Sequence, residues 1–139
     1  MIFQAAPQER DSPPRVVVEL TAGPDAPAQA RGAIKRLEAT MPPPCLEIVE
    51  LVLSELVTNA VRHSGVSERG RVEVDVRCGP RAVLISVADP GPGFDPEGRG
   101  GPRGAEGGWG LYVVGEVADR WWVEQAGEGT RVVAEVARG

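Results

Sequence analysis

Two periodicities divide this chain into strands and helices. Residues 15–22, RVVVELTA, are rich in β-branched side chains and read as a strand. Over 23–41, GPDAPAQARGAIKRLEATM, the residues Ala30, Ala33, Ile34 and Leu37 recur at helical spacing, and the prolines at 42–44 end that helix. The strongest helical pattern runs from Leu46 to about His63, LEIVELVLSELVTNAVRH, and SGVSERG closes it. Two strands follow. RVEVDVRCG, 71–79, alternates strictly, whereas RAVLISVAD, 81–89, has the near-continuous apolar face of a central strand, and Gly79-Pro80 joins the two as a hairpin. Residues 109–120, WGLYVVGEVADR, read as a helix, and WWVEQAGEGTRVVAEV closes the pattern as a hairpin turning at Gly127 to Gly129.

Two stretches carry neither period. Residues 1–14 combine prolines and charges with little patterned hydrophobicity, which predicts a flexible lead-in and places the start of a single domain at 15–139. Residues 95–108, DPEGRGGPRGAEGG, contain six glycines and no large apolar side chain that could hold them to a core. A segment of that length without anchors is uncommon inside a domain unless it is a lid or binding loop, although a plain linker would have the same composition. No internal repeat is present.

Polar residues in apolar settings mark the candidate chemistry. On the long helix Leu46, Val49, Val52, Leu53, Leu56, Val57 and Ala60 share one broad face, and Glu47, Glu50, Ser54, Thr58 and Arg62 share most of the other. Glu55 and Asn59 lie at the seam, one turn and about 40° apart around the axis. Asparagine is a poor helix former, so its place deep in this helix asks for a reason. An amide oxygen can ligate a hard cation and a neighbouring carboxylate can take a proton from a nucleophile, a pair suited to phosphoryl transfer. A solvated glutamate beside a tolerated asparagine would look the same. The second candidate is DPGPGF, beginning at Asp89 where the apolar strand ends. A carboxylate at that rim can accept a hydrogen bond from an exocyclic amine such as that of adenine, and Gly91 and Gly93 permit close approach of a flat ligand. A tight turn explains the same residues. Third, Gly107-Gly108-Trp109-Gly110-Leu111 opens a helix with glycines, which exposes backbone N–H groups to phosphate.

Composition removes several classes. The net charge of −5 on 139 residues disfavours a nucleic-acid partner held by phosphate contacts and attraction to anionic membranes. No apolar run reaches membrane-spanning length, and the first residues lack signal-peptide order, so a cytoplasmic protein is expected. Cys45 and Cys78 are too few and too far apart for a metal knuckle and read as reduced core thiols. A single histidine, His63, disfavours a His-rich metal site.

In order and separation, ELVTNAVRH, DPGPGFD, a glycine-rich gap, GGWGL and a GT before the last strand resemble the N, G1 and G2 boxes of the GHKL ATPase superfamily, over roughly residues 15 to 137. Within it the chain looks most like the anti-sigma factor serine-protein kinases. The resemblance implies a Bergerat-type ATP-binding fold, an α/β (α+β) two-layer sandwich with helices on one face of a mixed, mainly antiparallel sheet. It gives Asn59 the role of holding Mg²⁺ against the ATP phosphates and Glu55 that of general base. It gives Asp89 the adenine amino group, with Gly91 and Gly93 letting the base approach. Gly108, Gly110 and Leu111 would lie beneath the phosphates, Thr130 would reach the adenine, and Arg99 and Arg103, in a lid at about 94–108, would meet the γ-phosphate. His63 matches a frequent residue at the end of the N box and is read as structural. The implied activity is Mg-ATP-dependent phosphorylation of a serine on an anti-anti-sigma partner of the STAS type by a protein that also holds a sigma factor. A non-catalytic, nucleotide-gated binding module is the alternative. Members of such families commonly form homodimers, and Trp109, Trp121 and Trp122 suit a core or an interface equally well.

Overall fold

The computed structural model describes residues 12–63, 70–89, 108–127 and 129–139. Strand β1 (Arg15–Thr21) is followed by helix α1 (Ala26–Ala33), a 3₁₀ run (Ile34–Thr40) and the long helix α2 (Pro43–His63). Strands β2 (Arg71–Cys78) and β3 (Ala82–Asp89), helix α3 (Gly108–Val117), and strands β4 (Arg120–Ala126) and β5 (Gly129–Ala137) complete the order. The five strands form one sheet in the order β1-β2-β3-β5-β4, which puts β3 in the centre as its apolar run predicts. All four described pairings are antiparallel, so the sheet lies at the antiparallel end of the mixed, mainly antiparallel expectation.

The three helices cover one face of this sheet. Alternation along the strands sends Val16, Val72, Val74, Val76, Val83, Ile85, Val87, Val132, Ala134 and Val136 toward them, and α2 answers with Val49, Val52, Leu53, Leu56 and Val57, all buried. Cys45 and Cys78 are buried and unbridged in the same core, as expected of core thiols. Burial pushes the Cys45 thiol above its ordinary range, and nearby Cys78 adds to the shift.

The opposite face carries charges paired across strands. Arg15 donates two hydrogen bonds to the Asp75 carboxylate, at 3.0 and 2.7 Å. Arg120 pairs with Glu135 at 2.8 Å and lies over the Trp122 ring. Arg131 of β5 reaches across β3 to β2, donating to Ser86 Oγ (3.1 Å) and to Glu73 Oε1 (3.2 Å). Ser86 is buried in the middle of this face beside its strand partner Val133, and Arg131 donates to its hydroxyl oxygen.

Three boundaries differ from the periodic reading. The helix expected over 23–41 is α-helical only to Ala33 and continues as a 3₁₀ run, which stacks Ile34, Leu37 and Thr40 three residues apart on one side. Ile34 and Leu37 are buried, and Thr40 Oγ1 donates to the Leu37 carbonyl. Helix α2 starts at Pro43 rather than Leu46. Prolines 43 and 44 fall in the first turn, where a missing N–H costs nothing, and the first helical bond is Leu46 N–H to Pro42 O at 3.0 Å. The same prolines therefore stop one helix and open the next. Helix α3 ends at Val117 and not at Arg120, since Arg120 already pairs in β4. The two hairpins turn where the glycines predict. Gly79 N–H donates to Ala82 O at 2.9 Å, and a Cβ at residue 79 would stand 3.1 Å from that oxygen. Gly127 sits at φ +62°, a conformation open to glycine at little cost.

Candidate functional site

The candidate residues are carried by α2, β3, β5 and α3. Ser54 of α2 accepts a hydrogen bond from Arg31 of α1 at 2.9 Å, which marks the flank of α2 that α1 occupies. Glu55 lies about 100° around the axis from Ser54 and Asn59 about 140°, so both belong to the other flank. Helix α3 packs against α2, and α2 packs across β3. Asn59 is 4% exposed, deeper than the seam that the apolar pattern marks, while Glu55 is half-buried one turn before it. Among the described residues, the Asn59 carboxamide makes no side-chain hydrogen bond. A buried amide left in that state costs about 1–3 kcal/mol, and its oxygen is open to a cation or a water.

The second polar centre stands on the sheet. Asp89 is the last residue of β3, 5% exposed, and its strand partner is Thr130 of β5. The acid and the hydroxyl are thus directly opposite on the helix-facing side, about 5 Å apart at Cβ. Helix α3 begins at Gly108, which puts Gly108 and Gly110 in its first turn, where backbone N–H groups have no partner inside the helix. Leu111, one position on, is half-buried against the core.

The fold therefore brings Glu55, Asn59, Asp89 and Thr130 onto elements that pack on one another, with the glycine start of α3 on the adjoining helix. Gly91, Gly93, Arg99 and Arg103 lie outside the described residues, as do most of the expected lid and of the N-terminal lead-in; His63 ends α2, and its side chain is likewise outside. Arg62, grouped by the sequence with the solvent face, is exposed, and its seven-residue spacing from Glu55 sets it within about 20° of that residue around the axis. A separate open cleft of about 460 Å³, lined by Pro14, Met41, Cys78 and Arg138 among others, lies at the other end of the sheet. There Arg138 ties the end of β5 to the carbonyls of Gly79 and Thr40, a structural clamp.

The donor set fits magnesium nucleotide better than a bare metal. Among the described residues no group of three His, Cys, Asp or Glu side chains could hold an ion by itself. Mg²⁺ is commonly held by one or two protein oxygens with phosphates and water completing the shell, which a single buried amide satisfies.

A helical layer on an open antiparallel sheet is the two-layer α/β sandwich of the GHKL ATPases. Residues 20–136 match the model of the histidine kinase-like ATPase domain, and the chain belongs to that family. ATP is accordingly the ligand class of the fold.

Solved structures agree on the architecture. The RsbU and RsbW domains of Rv1364c from Mycobacterium tuberculosis superpose with a TM-score of 0.66 at 20% identity, over 91% of this chain and 33% of that one. This chain therefore spans a third of that protein's length. A chain of the SiaB–SiaC complex from Pseudomonas aeruginosa gives 0.63 at 13% identity, over 97% and 98% of the two chains. The catalytic domain of histidine kinase ThkA gives 0.55 at 17% identity, over 88% and 95%. At these identities the likeness concerns the fold. No curated protein sequence matches the chain. Among the described residues no helix is long and apolar enough to cross a membrane.

Proposed function

We propose that this protein is an ATP-dependent serine/threonine kinase of the partner-switching type, which phosphorylates a STAS-domain protein and, when that partner is released, holds a sigma factor. The observation that carries the nucleotide part is the pairing of two buried polar side chains on touching elements, Asn59 on α2 and Asp89 on β3. Asp89 and Thr130 form the base end of the site, and Asn59 with the N-terminus of α3 forms the phosphate end. Mg²⁺ held by Asn59 and the phosphates would neutralise charge on the transferring group. The chain's own contribution to the chemistry is position and one base. Glu55 accepts the proton of the acceptor hydroxyl as its oxygen bonds to the γ-phosphorus and the bond from that phosphorus to the bridging oxygen of ADP breaks. Half-burial suits this role, since the carboxylate must be reached by a hydroxyl from outside.

The partner assignment draws on the resemblance to anti-sigma factor kinases and on likeness to an RsbW domain and to a chain of the SiaB–SiaC complex. Phosphorylation would add nearly two negative charges to the partner's docking surface and break the complex. The site would work in the cytoplasm, where ATP and sigma factors are found.

The test is to incubate the protein and Mg-ATP with the STAS-domain protein encoded nearest to it and read that partner's intact mass. One added phosphoryl group is expected. Glu55→Ala should lower the rate by about 10²–10⁴-fold while leaving ATP affinity within about threefold. ATP binding without any phosphoryl transfer would replace the kinase with the nucleotide-gated binding module, and transfer undiminished in Glu55→Ala would remove the base from Glu55.

A further inference from the structure

The sheet register brings a third polar side chain to the end where Asp89 and Thr130 meet. Thr130 of β5 faces Asp89 on β3 and Gln125 on β4. Acid, hydroxyl and carboxamide thus stand in one row across three adjacent strands, about 4.8 Å from strand to strand. All three face the helices, because Trp121 and Val123, at alternate positions before Gln125, pack on the core. The next row inward is Val87, Val132 and Val123, and the one beyond it is Ile85, Ala134 and Trp121. The change from apolar to polar occurs at the same level in all three strands, at the end of the sheet where the nucleotide base is placed. Gln125 is exposed, and among the described residues neither its carboxamide nor the Thr130 hydroxyl makes a side-chain hydrogen bond.

We propose that Gln125 is a specificity-determining residue that makes the base end of this site select adenine. The inference rests on the nucleotide reading above and adds to it a residue that the motif boxes do not contain. Adenine offers an amino group beside a bare ring nitrogen, so its edge needs an acceptor next to a donor. Asp89 is the acceptor. The Thr130 hydroxyl has a single hydrogen and can be the donor only if that hydrogen is not taken elsewhere. With nucleotide bound, a carboxamide at residue 125 would be able to donate N–H to Thr130 Oγ and leave the hydroxyl hydrogen for the ring nitrogen. Glutamate there could only accept, would take that hydrogen, and would turn Thr130 into an acceptor facing another acceptor. Inosine nucleotides, with a carbonyl and a ring N–H in place of the amino group and bare nitrogen, present the reversed pattern.

The experiment compares the Kd of Mg-ATP and Mg-ITP by calorimetry for the full chain, Gln125→Leu and Gln125→Glu. The unmodified chain should prefer ATP. The ATP-over-ITP preference should fall about fivefold to tenfold in Gln125→Leu and further in Gln125→Glu, with nucleotide-free melting temperatures unchanged. Preference retained within twofold in both variants overturns the proposal. An unmodified chain that binds ATP without preferring it to ITP overturns it too, and leaves the ATP reading standing. Failure of the unmodified chain to bind ATP removes that reading, and this proposal with it.

Discussion

Replacing Asn59 by alanine separates a ligand-binding amide from a structural one by the sign of the stability change. Three effects act on the nucleotide-free protein. Alanine is a better helix former than asparagine by about 0.5–0.7 kcal/mol in a helix interior. Removing a carboxamide that is 4% exposed and has no side-chain partner among the described residues relieves about 1–3 kcal/mol of desolvation. Against these stands the lost packing of three heavy atoms and the small void they leave, about 1–2 kcal/mol. The sum runs from about 0.5 kcal/mol less stable to about 2.7 kcal/mol more stable, so Tm should hold within a few degrees or rise by several. A carboxamide engaged in a core hydrogen bond would instead cost about 1–3 kcal/mol on removal. Urea unfolding followed by circular dichroism measures the difference directly. A second arm adds Mg-ATP, which at 100 times its Kd stabilises the unmodified chain by about 2.7 kcal/mol and should do almost nothing for Asn59→Ala. A nucleotide-free loss of more than about 1 kcal/mol would refute the reasoning, because it would show that the amide serves the fold.

Two further predictions concern the scaffold. Gly127→Ala should lower the unfolding free energy by about 1–2 kcal/mol, since φ is +62° and no atom lies near enough for a new methyl to clash, leaving backbone strain as the sole cost; the urea midpoint reads it, and an unchanged midpoint contradicts it. The raised Cys45 pKa makes stability depend on alkali. The unfolded thiol ionises first, at about pH 8.5, so the contribution is fully present below that value and is lost as pH rises toward the higher folded value. Unfolding midpoints between about pH 7 and pH 10 should fall less steeply in Cys45→Ala than in the unmodified chain, and identical slopes would remove Cys45 as the source.

What the sequence made legible was what lies within one element. Strict alternation in 71–78 and the apolar run of 82–89 identified their strands, and the i, i+3, i+4 pattern of Leu46 to Ala60 identified the long helix and the side-by-side placement of Glu55 and Asn59. Relations between elements were not legible. Nothing local to Asp89 says that Thr130 stands opposite it, because the register is set by the whole β3–β5 ladder, and the same holds for Gln125. Asn59 lies deeper than its place on a helical wheel implies, and a wheel carries no information about the packing of α3 against α2. Ser86 reads as a polar residue for the wet face and is buried there, beside its strand partner Val133 and with Arg131 donating to its hydroxyl oxygen. The prolines at 42–44 were read for what they forbid, the continuation of a helix, and not for what they allow, the opening of one.

The central claim is that a nucleotide lies between the Asn59 flank of α2 and the Asp89 end of β3. Calorimetric titration of Mg-ATP into the unmodified chain and into Asp89→Asn, with unfolding curves confirming that both are folded, tests it most directly. The unmodified chain should bind saturably, and Asp89→Asn should lose about tenfold or more in affinity, the size of a hydrogen bond to a charged acceptor. Equal affinity in the two folded proteins would contradict it.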